Sequence, residues 1–161
     1  MKKLLVLFMI LSVSTTLAAK DPIVDITVTL SPAGSFQITT SKVKGKLKKK
    51  GNVYKASKLS VKVKDLETGI ELRDEHTRKR IMTKKHKKII VTDIIAKDGK
   101  GKGKIEIKGI KKSFKFMYSI SKKTMNAKFK LNLSHFKIKD LSYMGVGAKK
   151  IINLKIKMPI K

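Results

Sequence analysis

The sequence predicts an all-β fold in which about eight antiparallel strands form a sandwich or a barrel, with one short helix near one end. Two observations support this prediction. Apolar and polar residues alternate with a period of two through most of the chain after residue 20, which places one face of each strand in a core and the other in water. A single stretch, residues 68–82, breaks this period and indicates a helix.

The alternating runs are separated by turn signals, and each run predicts one strand. Lys104 to Lys108 alternates lysine with apolar residues, for example. Such alternation is typical of antiparallel sheets with one solvated face. Segments rich in Gly, Pro, Asn or Ser, including 31–34, 50–52 and 97–101, mark the turns. The predicted strands lie near residues 23–30, 35–48, 53–65, 88–97, 102–109, 113–121, 124–138 and 150–160.

The exceptional stretch predicts one helix at about residues 69–82. Thr68 precedes Glu71 by three residues, which is the spacing of a capping box. Acidic residues concentrate at the start of the stretch and basic residues at its end, as the helix dipole favours. All three arginines of the chain lie here. Because guanidinium groups bind backbone and carboxylate acceptors well, we expect the arginines mainly to fasten this helix over one end of a barrel.

The first 19 residues have the pattern of a secretory signal peptide. Two lysines precede an apolar run at residues 4–13, and two alanines follow at positions 18 and 19. This order is typical of a cleaved export signal, and the run is short for the rival interpretation, an uncleaved membrane anchor. We therefore expect residues 1–19 to be a signal peptide, residues 20–161 to form one domain, and the mature chain to be periplasmic or secreted.

The chain is strongly basic and contains no cysteine. Forty lysines and arginines against eleven acidic residues give a formal net charge of +29. A charge of this size attracts polyanions such as anionic lipid head groups, acidic envelope polymers or nucleic acid. The aromatic residues keep to the inward phase, so nucleic acid is not expected as a physiological partner. Lysines on solvated strand faces can also act only in solubility, and both interpretations stay open at this point.

No catalytic or metal-binding pattern is recognisable in the sequence. The three histidines, His76, His86 and His135, match no zinc or nucleophile spacing. The glycines at positions 99, 101 and 103 alternate with lysine and indicate a hairpin, not a phosphate-binding loop. We therefore expect a binding protein and not an enzyme, with no metal ion and no cofactor.

Three segments resemble the signature of YceI-like proteins. Leu66–Gly69 followed by Arg73–Thr77 resembles their T-G-x-x-x-R-D-x-H-L element. Lys104–Lys112 is similar to their G-x-L-T-I-x-G-V-T-K segment, and Phe136–Ile156 resembles their last strands and glycine loop. The resemblance covers nearly all of the chain after residue 20, in order. It implies an extended, lipocalin-like antiparallel barrel whose elongated apolar cavity takes up a polyisoprenoid or similar lipid, in a periplasmic or secreted protein without known catalysis.

On this basis we expect an exported protein that transports, stores or sequesters a polyisoprenoid or fatty-acid-like lipid, as a monomer or homodimer. The alternative is a polycationic protein whose lysine-coated strands bind an anionic membrane surface or envelope polymer. Alternation alone does not distinguish a hollow barrel from a filled one. The predicted cavity residues are Leu59, Val61, Val63, Phe114, Phe116, Tyr118, Phe129, Leu131 and Leu133, with Arg73, His76 and Tyr143 at a polar end.

Overall fold

The chain folds into one antiparallel sheet that curls into a barrel, with a single α-helix. The computed structural model describes residues 21–81, 84–139, 141–143 and 145–161, so the predicted signal peptide lies outside the described residues. The helix is α1 (Glu71–Ile81). In chain order the strands are β1 (Ile23–Ser31), β2 (Ser35–Thr40), β3 (Val43–Lys44), β4 (Lys48–Lys50), β5 (Val53–Lys62), β6 (Lys88–Lys97), β7 (Lys100–Ile107), β8 (Ile110–Ser121), β9 (Thr124–Asn132), β10 (Ser142–Tyr143), β11 (Val146–Ala148) and β12 (Ile151–Pro159).

Neighbouring strands follow the path β10-β11-β1-β12-β9-β8-β7-β6-β5-β3, with β2 also paired to β1 and β4 to β5. Two isolated bridges add to this pairing. Thr39 of β2 pairs with Glu67, which follows β5 along the chain, and Leu47, just before β4, pairs with Ile160, just after β12. The barrel is therefore nearly closed. This confirms the predicted all-β, antiparallel, lipocalin-like fold, but the described residues form twelve strands and not eight, because four short strands accompany the eight long ones.

Two predicted strands end earlier than expected because 3₁₀ turns interrupt them. The predicted strand at 53–65 ends in the turn Val63–Asp65, and the one at 124–138 ends in the turn Leu133–Phe136. At the second turn, the Asn132 side chain accepts a hydrogen bond of 3.0 Å from the backbone N–H of Ser134. Such a local bond offers the backbone an alternative to the hydrogen bonds between strands. The alternation of apolar residues does not reveal this alternative.

A bulge in β6 changes which residues face inward. Asp93 has a positive φ of 57°, and the register with β7 shifts at this point. Val91 faces inward before the bulge and Ile94 after it, because the extra residue reverses the phase of the strand. The Lys104 ammonium lies 3.1 Å from the Asp93 carboxylate. Its hydrogen bond and its charge lower the pKa of Asp93.

Helix α1 confirms the predicted helix, but its cap differs from the prediction. The backbone N–H of Thr68 donates to Oδ1 of Asp74 at 2.7 Å, and Oγ1 of Thr68 accepts from the N–H of Ile70 at 3.3 Å. The predicted pairing of Thr68 with Glu71 is wrong, because Gly69 turns the chain with a φ of 80° and the helix begins later. No helix among the described residues is long and apolar enough to cross a membrane.

Two arginines fasten α1 to the barrel. Arg78 Nη2 donates to the carbonyl of Lys64 at 3.4 Å. Arg80 donates to the carbonyls of Lys139 at 3.2 Å and Ser142 at 3.5 Å. Both therefore bind backbone acceptors in segments distant along the chain, as a planar group with several donors allows.

Aromatic rings fill one part of the barrel interior. The ring centroids of Phe114 and Phe129 are 4.7 Å apart, and those of Tyr54 and Tyr118 are 5.7 Å apart in an edge-to-face arrangement. These separations favour attraction between the rings. The aromatic cluster comprises Tyr54, Phe114, Phe116, Tyr118 and Phe129.

The rings of β8 lie over glycines of the neighbouring strand. Gly101 is the direct partner of Phe116 and Gly103 is the partner of Phe114. A Cβ atom added to Gly101 would overlap the Phe116 ring. Because these two glycines have no side chain, the space beside them is available to the two rings.

We expect the substitution Gly101→Ala to lower the free energy of unfolding by about 1–3 kcal/mol, since the buried Phe116 ring must move. Urea denaturation followed by far-ultraviolet circular dichroism measures this change. The matched control is Gly147→Ala, because a Cβ there meets no atom within 4 Å and the residue has no positive φ. The control should be neutral or slightly stabilising. Equal effects of the two substitutions would contradict the close packing of the ring on Gly101.

Candidate ligand cavity

A cavity of about 550 Å³ lies between the aromatic cluster and α1. Its volume falls within the range of roughly 300–1,000 Å³ typical of ligand pockets. Phe129 belongs both to the cavity lining and to the aromatic cluster, so the cavity meets the cluster at this ring, which we call the floor. Aliphatic residues of seven strands make up most of the wall: Val24, Ile26, Val28, Ile38, Leu59, Val61, Ile89, Val91, Ile105, Ile107, Leu131, Ile152, Leu154, Ile156 and Met158.

The side of α1 that faces the cavity supplies its charged groups and most of its polar ones, with Ser60 and Ser142 also in the lining. Arg73, His76, Thr77 and Arg80 all line the cavity. The guanidinium carbon of Arg73 lies 4.6 Å from the centroid of the Phe36 ring, a distance that allows a cation–π interaction. The cavity is therefore apolar at its floor and cationic beneath the helix, which suits a ligand with a long hydrocarbon chain and a polar end.

Three of the side chains that line the cavity are apolar and also exposed to solvent. Ile70 is 50% exposed, Leu72 is 54% exposed and Val146 is 42% exposed, and all three also line the cavity. We name these three residues the mouth rim. Large apolar side chains next to an open apolar cavity can contact a hydrocarbon ligand as it enters.

Seven of the residues predicted for the site line the cavity. The sheet and the 3₁₀ turn after β9 bring Leu59, Val61, Phe129, Leu131 and Leu133 together, and α1 adds Arg73 and His76. Their contact with a ligand remains a prediction. Tyr143 lies in β10, and its side chain lies outside what the structure describes.

Four predicted residues do not line the cavity. Phe114, Phe116 and Tyr118 face inward as expected, but they pack against one another and against Tyr54 in the aromatic cluster. Val63 is completely buried in the 3₁₀ turn after β5. These side chains are inside the protein, but neighbouring rings or the turn itself occupy the space beside them.

The prediction omitted the contribution of the first and last strands. Ile26 and Val28 of β1 and Ile152 and Leu154 of β12 line the cavity. Their alternation had identified both strands. The sequence did not show that β1 and β12 are neighbours in the sheet. Ile26 lies directly opposite Leu154, so both strands contribute to the same wall.

Charged and titratable groups near the cavity show no arrangement typical of a metal centre. Within the part of the chain that the structure describes, no group of three or more His, Asp or Glu residues is placed to hold a metal ion. His76 lines the cavity together with Arg73 and Arg80, and neighbouring cations disfavour a metal cation.

Comparison with known proteins places this geometry in a family. A model of the YceI-like domain matches residues 19–159. The structure is similar to BcnA of Burkholderia cenocepacia, with 13% sequence identity and a TM-score of 0.61 over 83% of this chain and 94% of that chain. No curated protein sequence is significantly similar to this chain.

Two further solved structures share the fold. A polyisoprenoid-binding domain of Saccharophagus degradans, implicated in plant cell wall breakdown, has 8% identity and a TM-score of 0.63 over 84% of this chain and 91% of that chain. The YCEI protein of Campylobacter jejuni has 16% identity and a TM-score of 0.60 over 75% of this chain and 81% of that chain. Since the family model spans nearly the whole barrel, this chain belongs to the YceI-like family.

Proposed function

We propose that this chain is an exported carrier that holds a long apolar lipid, of the polyisoprenoid or fatty-acid class, in the cavity beneath α1. The observation that carries the proposal is the cavity of about 550 Å³ with an aliphatic wall. Protein interiors normally contain few voids larger than a water molecule. An apolar space of this volume therefore favours an apolar occupant that restores the missing contacts.

The distribution of polar groups gives the ligand a direction. Its hydrocarbon chain would lie against Phe129 and the walls from β1 and β12, where polar side chains are scarce. Its polar end would lie at the polar groups of the lining, either Arg73 and His76 on α1 or Ser60 on β5. This orientation avoids burying a polar head group against the apolar floor, where it would find no hydrogen-bonding partner.

The comparisons and the sequence support the ligand class and the location. The similar domain of Saccharophagus degradans is described as polyisoprenoid-binding. The basic, apolar and small-residue order of residues 1–19 supports export. The proposed role is binding, for transport, storage or sequestration, without catalysis.

Lipid binding can be measured in two ways. Mass spectrometry of an organic extract of natively purified protein should show a bound apolar lipid. In solution, Kd should fall along the series geraniol, farnesol and geranylgeraniol. Each added isoprene unit should lower Kd by at least about tenfold until the cavity is filled, because it buries several carbon atoms that contribute about 0.8 kcal/mol each.

A polyethylene glycol of similar length serves as the polar control and should not bind. The proposal would be refuted if repeated extracts contained no lipid and if the Kd of the prenyl alcohols did not depend on their chain length. The second result would mean that the aliphatic wall is not in contact with the chain.

A further inference from the structure

A second pocket, of about 310 Å³, lies beside the lipid cavity at the β3 edge of the sheet. Five lysines line it, with one acidic residue and two others. Val43 and Ser60 line both this pocket and the apolar cavity, so the two spaces share a wall. We name it the lysine pocket; its lysines are Lys42, Lys44, Lys62, Lys64 and Lys88.

The fold forces these lysines together. Lys62 is directly opposite Lys88 in the β5–β6 ladder, and Lys44 lies opposite Ser60 in the β3–β5 ladder. The 3₁₀ turn that follows β5 carries Lys64. Like charges directly opposite each other across two strands are destabilising.

One carboxylate offsets this charge only in part. Asp65 lines the pocket with a side chain that is 15% exposed, and its Oδ1 lies 4.0 Å from Lys42 Nζ. Five ammonium groups against one carboxylate leave a formal excess of four positive charges at the pocket. An anion with several charged oxygens would relieve this repulsion and accept charge-assisted hydrogen bonds.

We infer that the lysine pocket binds a phosphate or diphosphate group. Such a group can come from two sources: the head group of a lipid whose chain lies in the adjoining cavity, or a free inorganic anion. The first source rests on the proposed function, because it requires that the cavity holds the chain and that the head group reaches the lysine pocket beside Val43 and Ser60, which line both spaces. The second source does not.

The decisive comparison uses two pairs of opposed lysines. In the test variant, Lys62 and Lys88 are both replaced by glutamine. In the matched control, Lys128→Gln and Lys155→Gln remove another directly opposed pair, from the β9–β12 ladder, whose side chains are exposed and line neither space. Isothermal titration calorimetry with inorganic diphosphate at low salt measures Kd for each protein.

We expect the test variant to bind inorganic diphosphate at least about tenfold more weakly than the parent, since two charge-assisted contacts are lost. The control pair should change Kd by less than about threefold, through long-range charge alone. Asp65→Asn should act in the opposite direction and tighten binding by about threefold, because it removes the one carboxylate that the described residues place at the pocket. Equal weakening by the two lysine pairs, or no binding of inorganic diphosphate and geranylgeranyl diphosphate by the parent, would overturn the inference.

Three probes separate the sources and the two proposals. If geranylgeranyl diphosphate binds more tightly than inorganic diphosphate and loses affinity in the test variant, a lipid head group occupies the pocket. If the two bind equally and both lose affinity, the pocket takes the free anion. Geranylgeraniol has no phosphate, so it tests the cavity alone. If it did not bind, the proposed function would be contradicted, but the inference that the lysine pocket binds an anion would not.

Discussion

Truncation of Phe116 to alanine is expected to lower the free energy of unfolding by about 3–5 kcal/mol. Phe116 is 6% exposed, and its ring centroid lies 5.8 Å from that of Phe114 and 6.3 Å from that of Tyr118. Gly101, on the adjoining strand, has no side chain to fill the space that the ring would leave. The loss therefore combines transfer of an aromatic ring to water with an uncollapsed cavity.

The control for this truncation is the next residue on the same strand. Met117 is 58% exposed on the outer face of the barrel, so Met117→Ala should change stability by no more than about 0.5 kcal/mol. Chemical denaturation followed by circular dichroism gives both values. A Phe116→Ala protein as stable as Met117→Ala would show that the aromatic cluster is not a packed core.

Replacement of Ile152 by tryptophan is expected to weaken the binding of geranylgeraniol by at least about 15-fold. Ile152 is 6% exposed and lines the cavity. The larger indole displaces roughly two methylene groups of the bound chain, each worth about 0.8 kcal/mol. Native mass spectrometry or a radiolabelled ligand measures the change. The effect on stability should be small, because the added volume enters existing space.

Ile151→Trp is the matched control for this substitution. Ile151 is 51% exposed and points away from the cavity on the same strand, so its replacement should leave Kd unchanged. The natural chain contains no tryptophan, so each variant has one emitting indole. Emission at shorter wavelength from position 152 than from 151 would confirm that the indole is inside. Unchanged lipid affinity in an Ile152→Trp protein whose indole is buried would refute ligand binding in this cavity.

The sequence predicted which side chains point into the barrel better than it predicted which of them line the cavity. Alternation placed Phe114 and Leu131 on the inner face, and both are buried. Only Leu131 lines the cavity. The Phe114 ring packs instead against Phe116 and Phe129, beside its cross-strand partner Gly103. A period of two reports the face of a sheet and contains no information about the opposite wall.

Local backbone chemistry explains the remaining differences. The run that contains Asp93 has apolar residues in both phases, so alternation could not reveal where the bulge reverses it. The lysine pocket was equally hidden. The convergence of Lys62 and Lys64 with Lys42 and Lys88 depends on how β3 and β6 flank β5. Pairing of strands distant along the chain is a property of the whole barrel and not of any one segment.

The floor of aromatic rings has a consequence for the selection of ligands by length. The pairing of the strands sets the width of the barrel, and the aromatic cluster occupies the interior where the cavity ends at Phe129. Phe129 marks that depth, and Phe114 and Phe116 support it from behind. Exchange of one ring for a smaller side chain would lengthen the compartment without changing any hydrogen bond between strands. In this chain, single substitutions at these rings are therefore expected to change the length of the chain that the proposed site accepts, each limited by the stability that the lost ring had contributed.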